Sequence, residues 1–322
     1  MEAKIIGILS TRNVLSQGYP FLEAIYSFLN WGDKLYIGDD SNDGTEEILN
    51  RLSKNKKIKL FKIKWEEKKG HRGGEVIGMS YNALLNKIKN LEDPKNWVFE
   101  LQSNEIAHEA TYKELRGLHK KYNFSRGFLL PYGELIGTQM VATSWRFRLA
   151  SLYKNLIISG DGASFNSKDR NKVKAILRKL VADTYRGFIN KRDPWLINFF
   201  YAIKEILPVN LKQPIFRYGR LLPEDMIKKM EGHLKMYKGV GVYYSNASVE
   251  RKLIQDLKDH KIDANEYYKR YSNYLAENRL KCWEFSKPED VKLSMHPKIM
   301  QGLMHKHKYV AREDLIKKII QL

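Results

Sequence analysis

The chain has 322 residues, of which 43% are hydrophobic and 29% are charged. This composition predicts a folded globular protein and excludes an intrinsically disordered or collagen-like chain. The single cysteine, Cys282, excludes an internal disulfide framework and a cysteine-based zinc site. No apolar run reaches the roughly 18–20 residues of a membrane-spanning helix. Because the chain also starts with a strand-like segment and not a signal-peptide pattern, we expect a cytoplasmic protein.

The formal charge of +20 is unevenly distributed along the chain. Residues 1–150 carry a net charge of +5, and residues 151–322 carry +15. A strong positive field favours phosphates, whether in nucleotides, nucleic acids or anionic lipids. Charge alone does not choose among these partners, and a solvated lysine-rich surface is the alternative.

The first hundred residues alternate short apolar runs with amphipathic stretches. Strands are predicted over 4–9, 34–38, 58–63 and 97–101, and helices over 20–31, from 46 onward and over 76–88. This alternation predicts a parallel sheet with right-handed crossovers, whose ligands bind beyond the carboxyl ends of the strands. The polar clusters after Leu9, Gly38 and Leu101 are expected at that edge.

The second half has a different pattern. Strands are predicted over 127–132 and 143–149, and helices over 167–192, 249–280 and 311–322. Residues 168–201 combine many basic side chains with an apolar stripe and an aromatic run. This composition fits an interfacial helix on an anionic membrane, which would place the protein peripherally at the inner membrane face. A helical pair packed over an acceptor cleft is the favoured alternative.

Residues 36–49 place a dense group of polar side chains between the second predicted strand and a helix. Their sequence is Y-I-G-D-D-S-N-D-G-T-E-E-I-L. The segment resembles the V-D-D-x-S-x-D-G-T-x-x-I-L signature of family-2 glycosyltransferases, which have the GT-A fold. A carboxylate at a strand end accepts hydrogen bonds from uracil N3–H and from ribose hydroxyls. A tight turn with a helix N-cap is the alternative, but two adjacent carboxylates exceed what a turn needs.

A second polar segment follows the strand predicted at 97–101. Residues 101–109 are L-Q-S-N-E-I-A-H-E. They resemble the L-Q-A-D-E-v-I-H-E segment that takes the place of the metal-binding D-x-D motif in one group of these enzymes. Asn104 stands where that group has its metal-binding aspartate. Because Mg²⁺ and Mn²⁺ prefer anionic oxygen ligands, we expect Asn104 to bind such a cation weakly. An ordinary polar strand end is the alternative.

Further blocks resemble the same group in the same order. They are an arginine-rich strand at 145–148, G-D-a-x-x-F at 159–165, i-y-H-Y-G-x-v at 214–220, M-x-x-K at 225–230 and H-P-x-x-M at 295–300. Arg217 replaces the histidine of the third block, and a late histidine often supplies a metal ligand in GT-A enzymes. Our hypothesis is that Arg217, a permanent cation with a forked donor set, stabilises the leaving diphosphate. Mn²⁺ or Mg²⁺ would then be weakly bound or dispensable.

The resemblance covers most of residues 4–304 and implies an architecture. We expect an α/β fold of the GT-A type, Rossmann-like, with a mixed, mainly parallel sheet flanked by helices. The glycosyltransferase domain is predicted over residues 1–244, with a basic and aromatic helical insertion at about 167–208. A helical C-terminal extension is predicted over 245–322.

The resemblance also implies a donor-binding site at the predicted sheet edge. Arg72 is assigned to this site because it lies in a glycine-rich loop over 70–78, and loops of this kind can approach phosphates closely. A surface turn is an equally plausible interpretation of this loop. The predicted donor-nucleotide-binding residues are Thr11, Arg12, Asn13, Asp39, Asp40, Asp43, Arg72, Gln102, Ser103 and Arg217.

The catalytic base is predicted less directly. Inverting transfer needs a carboxylate that takes the proton from the acceptor hydroxyl. Asp161, in the block at 159–165, is the first candidate, and a Gly-Asp-Gly turn is its alternative. Glu105 and the pair Glu224 and Asp225 are the other candidates. Retaining chemistry stays open.

The predicted function is transfer of a sugar from a nucleotide-sugar donor to a hydroxyl of a glycan, lipid or protein. A sugar-phosphate nucleotidyltransferase is disfavoured, because its glycine-rich opening is absent after the first strand. A nucleic-acid-binding protein explains the charge, but Asp39, Asp40 and Asp43 would repel phosphates. A catalytically silent relative that binds a nucleotide or glycan is the third alternative.

Overall fold

The computed structural model describes residues 2–66, 73–121, 125–159, 164–167, 206–220, 247–277, 284–304, 306 and 308–322. These residues form an α/β fold in which a mixed sheet of ten strands is flanked by helices. A separate two-stranded sheet completes the described strands. The predicted fold class, a mixed sheet with helices on its faces, is confirmed.

The strands are numbered in chain order. They are β1 (Ile5–Thr11), β2 (Lys34–Asp39), β3 (Ile58–Lys62), β4 (Trp97–Leu101), β5 (Glu105–Ile106), β6 (Gly127–Ile136), β7 (Gln139–Ser151), β8 (Leu156–Ser159), β9 (Ser164–Ser167), β10 (Ile206–Pro208), β11 (Ile215–Arg220) and β12 (Glu284–Asp290). The first four α-helices are α1 (Phe21–Leu29), α2 (Thr45–Leu52), α3 (Gly73–Leu91) and α4 (Tyr112–Lys121). Later α-helices cover Ala247–Lys258, Ala264–Glu277, Lys298–Gln301 and Glu313–Gln321.

The first four strands form a parallel sheet in the order β3-β2-β1-β4. All seven residues of β1 are buried, because successive side chains enter cores on opposite faces of the sheet. Ile5 and Leu9 lie in the core beneath α1, whereas Ile6 and Ile8 lie in the core beneath α3. Gly7 lets α1 approach closely, since a Cβ atom there would lie 2.6 Å from the Phe28 ring.

The sheet then reverses direction and curls back on itself. Antiparallel pairing joins β4 to β7 and β7 to β6, parallel pairing joins β6 to β11, and antiparallel pairing joins β11 to β5. Only residues 102–104 separate the end of β4 from the start of β5. The strand path therefore returns to its own beginning, and we call β4, β7, β6, β11 and β5 the strand ring.

The C-terminal segment completes the same structure and corrects one prediction. Strand β12 pairs with β7, so the extension predicted to be helical over 245–322 contributes a strand to the main sheet. The helix Glu313–Gln321 packs its buried Leu315, Ile316 and Ile319 into the core that contains α1. The single helix predicted over 249–280 is two helices, because Asp263 accepts a hydrogen bond from the Glu266 N–H and starts the second.

The basic insertion predicted at about 167–208 lies mostly outside the described residues, which resume with β10. In the part of the chain that the structure describes, no helix has the length and apolar character needed to span a membrane.

Candidate functional site

The carboxyl ends of β1 and β2 bring Thr11 and Asp39 together as directly paired residues. The Asp39 carboxylate is 5% exposed. Its Oδ1 accepts hydrogen bonds from the Thr11 hydroxyl at 2.7 Å and from the Ser41 hydroxyl at 2.6 Å. Within the described residues, Oδ2 accepts only a 3.3 Å bond from the Ser41 N–H. Among the residues that the structure describes, hydroxyl groups and a backbone N–H, and not a cation, therefore hold this carboxylate.

Asp40 and Trp65 form the outer part of this edge. The Asp40 Oδ2 atom accepts a hydrogen bond from the Trp65 N–H at 2.9 Å, and the indole Nε1–H donates to the Ser10 hydroxyl at 3.1 Å. The Arg12 guanidinium lies 5.8 Å from the Trp65 ring centroid, within cation–π range. Trp65 is half-buried. We call Thr11, Arg12, Asp39, Asp40 and Trp65 the strand-end site.

Trp65 is a residue that sequence reasoning missed. It lies three residues beyond the end of β3, so its position at the same edge follows from the parallel pairing of β2 with β3. The available signal was a lone tryptophan just after a predicted strand, in an otherwise lysine-rich segment.

Asp43 has a different environment from the other two aspartates. Its carboxylate accepts hydrogen bonds from the Thr45 N–H and hydroxyl at 3.1 and 2.6 Å, and from the Ser16 N–H at 2.7 Å. Burial acts to raise the pKa of Asp43, but these hydrogen bonds prevail and lower it. Asp43 thus shapes the turn before α2, and its role in donor binding stays a prediction.

Asn13 also has a structural role. It adopts a left-handed conformation with φ of 53°, and its side-chain oxygen accepts a hydrogen bond from the Asn42 N–H at 2.8 Å. Its own N–H donates to the Ser41 hydroxyl at 2.8 Å. These bonds join the loop after β1 to the loop after β2, and contact of Asn13 with the donor stays a prediction.

The spacing of the segment differs from the family signature by one residue. Two residues separate Asp40 from Asp43, whereas the signature has three between its second and third aspartates. With Ser41, Asp43 and Thr45 matched, Asp39 takes the place of the second signature aspartate and Gly38 that of the first. Asp39 is the last residue of β2.

The strand ring encloses a group of charged side chains. Arg146 and Arg148 are two residues apart on β7 and therefore share a face, as do Tyr132 and Glu134 on β6. Arg217 on β11 pairs directly with Glu134 on one side and with Glu105 on the other. We call the following set the arginine–glutamate cluster: Glu100, Glu105, Glu134, Arg146, Arg148 and Arg217.

The inner layer of the cluster comprises Glu100, Glu105 and Arg148, whose side chains are 0% exposed. Arg148 Nη1 binds Glu100, and Nη2 binds Glu105 Oε1 at 2.7 Å. Burial, reinforced by the neighbouring carboxylate of Glu105, raises the pKa of Glu100 to about 7. Glu105 is thus ion-paired and shielded from solvent, and its role as the base stays a prediction.

The outer layer comprises Glu134, Arg146 and Arg217. The Glu134 carboxylate binds Arg146 Nη2 at 2.5 Å through one oxygen and Arg217 Nη1 at 3.2 Å through the other. Arg217 Nη2 also donates to Gln102 Oε1 at 3.3 Å. The side chains of Glu134 and Arg146 are each 10% exposed, and that of Arg217 is 27% exposed. Exposure therefore increases from the inner to the outer layer.

Asn104 is buried beside a carboxylate and a guanidinium group that bind other residues of the cluster. Asn104 is 3% exposed, and its backbone carbonyl accepts a hydrogen bond from the Tyr218 N–H at 2.8 Å. The side chain that follows Asn104 is the arginine-bound Glu105, and Arg217 lies opposite it on β11. Across the described ranges, no three His, Cys, Asp or Glu side chains are grouped so that they could hold a metal ion.

Several predicted residues remain without a structural test. Arg72, Asp161, Glu224 and Asp225 lie outside the described residues. Ser103 is buried, at 9% exposure, in the loop that joins β4 to β5.

Comparison with known proteins gives weak structural matches. No protein-family model matches the chain, and no curated protein matches it. The crystal structure of residues 1–349 of S. aureus TarS has a TM-score of 0.36 at 13% identity and covers 76% of this chain and 68% of that one. Its complex with UDP has a TM-score of 0.37 at 13% identity and the same coverage. The 4-diphosphocytidyl-2C-methyl-D-erythritol synthase of Anaerococcus prevotii has a TM-score of 0.34 at 12% identity, covering 72% of this chain and 96% of that one.

With identities and TM-scores this low, the function must be argued from the chain's own residues.

Proposed function

We propose that this protein is a glycosyltransferase that moves a sugar from a nucleotide donor, UDP-like in chemistry, to a hydroxyl of a glycan, lipid or protein. The observation that carries the proposal is the state of the two strand-end carboxylates. Asp39 is held only by hydroxyl and backbone donors, and among the described residues Asp40 Oδ1 accepts no hydrogen bond. Such oxygens are suited to ribose hydroxyls and to uracil N3–H.

Trp65 and Arg12 support the same assignment. An aromatic ring beside paired carboxylates offers a stacking surface for a nucleobase, and stacking on an aromatic side chain contributes about 1–3 kcal/mol per base. The guanidinium near the Trp65 ring would face the same ligand. The base would then lie between Trp65 and the loop after β1, with its ribose on Asp39 and Asp40.

The distance along the sheet edge suits a nucleoside diphosphate. Asp39 ends β2, and Gln102 follows β4; β1 lies between these two strands. Two inter-strand spacings amount to about 10 Å, which is comparable to the separation of the base from the diphosphate in a nucleotide. Gln102 and its hydrogen-bond partner Arg217 are therefore suitably spaced for the diphosphate.

In the proposed reaction, the acceptor hydroxyl oxygen forms a bond to C1 of the sugar while the bond from C1 to the diphosphate oxygen breaks. The hydroxyl proton passes to a carboxylate, for which Asp161 stays our prediction, and inversion at C1 follows from direct displacement. The nucleoside diphosphate leaves with the electron pair of the broken bond. Arg217 would stabilise the charge that develops on it.

This role of Arg217 makes a tightly bound cation dispensable. We therefore expect transfer to persist in EDTA and to change little when Mn²⁺ or Mg²⁺ is added. Strict dependence on Mn²⁺ would refute this part of the proposal.

The first test is thermal unfolding of the full chain with UDP, GDP, dTDP, CDP and their sugar conjugates. At least one diphosphate should raise the unfolding temperature, and Asp40→Asn should abolish that rise. Asp259→Asn is the matched control, because Asp259 is exposed and paired with Lys261 away from the strand ends. Stabilisation without turnover would point to a silent relative. Steeply salt-dependent DNA binding without nucleotide binding would point to a nucleic-acid-binding protein.

A further inference from the structure

Two guanidinium groups in the strand ring converge on a single carboxylate. Arg146 and Arg217 each bind a different oxygen of Glu134, at 2.5 and 3.2 Å. The arrangement follows from register, since Arg217 pairs with Glu134 across parallel strands and Arg146 lies on the antiparallel neighbour β7. Two forked cations around one pair of oxygens are the arrangement in which proteins bind phosphate.

Glu134 is the carboxylate that these two cations bind most closely, but Glu105 Oε1 also lies 4.0 Å from Arg146 Nη1 and 4.0 Å from Arg217 Nε. Among the described residues, the cluster contains three carboxylates and three guanidinium groups, so its formal charges balance. Burial and the neighbouring charge of Arg217 lower the pKa of Arg146. The buried Nε of Arg217 has no hydrogen-bond partner among the described residues. The outer layer therefore has a guanidinium N–H donor, at Arg217 Nε, that Glu134 does not use.

The outer layer also lies at the accessible end of the cluster. Side-chain exposure rises from 0% at Arg148 to 27% at Arg217. Arg217 reaches Gln102, which directly follows β4 at the edge that carries the strand-end site. A ligand bound at that site would thus meet Arg217 before the other charged residues of the cluster.

We propose that Glu134 is an internal anion that occupies the donor's diphosphate position, and that Arg146 and Arg217 exchange Glu134 for the diphosphate when the donor binds. This inference rests on the proposed function. A diphosphate carries more negative charge and more acceptor oxygens than a carboxylate, so it competes successfully for both guanidinium groups. Glu134 is then a positioning residue that holds the arginines in place and lowers donor affinity.

The test compares ligands that contain and lack the diphosphate. Calorimetric titration of the full chain uses UDP, uridine and inorganic pyrophosphate against wild type, Glu134→Gln and Glu313→Gln. Because a glutamine side chain keeps the shape of Glu134 but not its charge, we expect Glu134→Gln to bind UDP and pyrophosphate about tenfold more tightly, with uridine unchanged. Glu313 is an exposed carboxylate paired with Arg51, so its variant controls for the loss of one charge and should match wild type.

A second variant keeps the proposal testable if Glu134→Gln does not fold. Arg217→Gln should weaken UDP and pyrophosphate about tenfold and leave uridine unchanged. Unchanged or weaker UDP binding in a folded Glu134→Gln variant would overturn the inference while leaving the proposed function intact. UDP binding by Arg217→Gln equal to that of wild type would overturn the inference together with the diphosphate role proposed for Arg217, but not the assignment of a nucleotide donor. If wild type binds neither UDP nor uridine, nor any other nucleotide of the panel, the proposed function fails and this inference fails with it.

Discussion

The parallel sheet and the strand ring differ in the hydrogen-bond donors that surround their carboxylates. At the ends of β1 and β2, Asp39 is held by the hydroxyls of Thr11 and Ser41. In the ring, Glu105 and Glu134 are held by arginines. Hydroxyl donors leave a carboxylate with its charge and with free acceptor capacity, whereas guanidinium groups neutralise it. The first region is therefore suited to ligand hydroxyls and N–H groups, and the second to anions.

A buried carboxylate in α1 shows a third solution. Glu23 is 0% exposed and accepts a hydrogen bond from the Tyr309 hydroxyl at 3.0 Å. Burial raises its pKa to about 7. Buried carboxyl groups in this chain are therefore stabilised in three ways: by hydroxyl donors, by ion pairs with arginine or by retaining a proton. Each of these environments predicts a different effect of substitution on stability or binding.

The largest effect is expected from removing the cation of the inner layer. Arg148→Met leaves Glu100 and Glu105 buried without their shared partner, so the free energy of unfolding should fall by about 3–5 kcal/mol. Urea denaturation monitored by circular dichroism measures this free energy of unfolding. The control is Arg270→Met, which breaks an exposed i,i+4 pair with Glu266 and should change stability by less than about 0.5 kcal/mol. Equal midpoints for the two variants would show that the ring does not depend on its internal ion pairs.

The second effect concerns Glu23 and is a function of pH. The folded protein retains a proton on Glu23 up to about pH 7, whereas the unfolded chain releases it near the ordinary pKa of 4.5. Stability should therefore fall as pH rises from 4.5 to 7 and then level off. Glu23→Gln cannot ionise, so at pH 8 it should be more stable than wild type by about 3 kcal/mol, a difference that disappears near pH 4.5. Urea unfolding at a series of pH values measures the difference in free energy of unfolding between Glu23→Gln and wild type. A difference that does not change with pH would contradict this account.

The third effect tests the strand-end site through binding. Trp65→Ala removes the proposed stacking surface and should weaken nucleotide binding about tenfold, at the lower end of what base stacking contributes. Titration with the nucleotide that stabilises wild type measures it. Trp145→Ala is the matched control, since Trp145 is 36% exposed and alternates with the inward-facing Arg146 on β7. Equal losses in both variants would argue for a general effect of removing tryptophan.

The smallest effect distinguishes turn aspartates from binding aspartates. Asp43→Ala removes the acceptor for the Thr45 and Ser16 N–H groups and should cost about 1 kcal/mol of stability, as loss of a helix cap does. The neighbouring Asn42→Ala removes an exposed side chain and should stay within about 0.5 kcal/mol of wild type. Chemical denaturation compares the two. If Asp43→Ala is as stable as wild type but loses nucleotide binding, the prediction that Asp43 binds the donor is supported.

Local pattern was sufficient for the elements of the parallel sheet. The strand predicted over 97–101 has the observed bounds of β4, because its apolar run is buried on both faces and ends at a polar cluster. Strands β6 and β7 are longer than predicted, Gly127–Ile136 and Gln139–Ser151. The residues that were not predicted as strand form a tight hairpin around Gly137, which has a φ of 57°. The turn contains few polar residues, so the sequence pattern did not indicate it.

Site residues could be predicted only where a single sequence segment contains both the reactive side chain and the strand end that positions it. Asp39 and Asp40 follow directly from their strand, and Arg217 was singled out by its departure from the family pattern. The partnership of Arg217 with Glu134 was not predictable, because the two residues are 83 positions apart and meet through strand register. Glu105 was a candidate base from its motif alone, but Arg148 binds it from a different strand.

The amino-acid order alone determined the alternation of strands and helices and the edge at which polar side chains collect, since both depend on neighbouring residues and on the two-residue and 3.6-residue periods of the backbone. Tertiary structure decided which carboxylates remain open to a ligand. The reason is that strand pairing determines which hydrogen-bond donors lie beside each carboxylate. These donors are hydroxyl groups at the ends of β1 and β2, and guanidinium groups inside the strand ring.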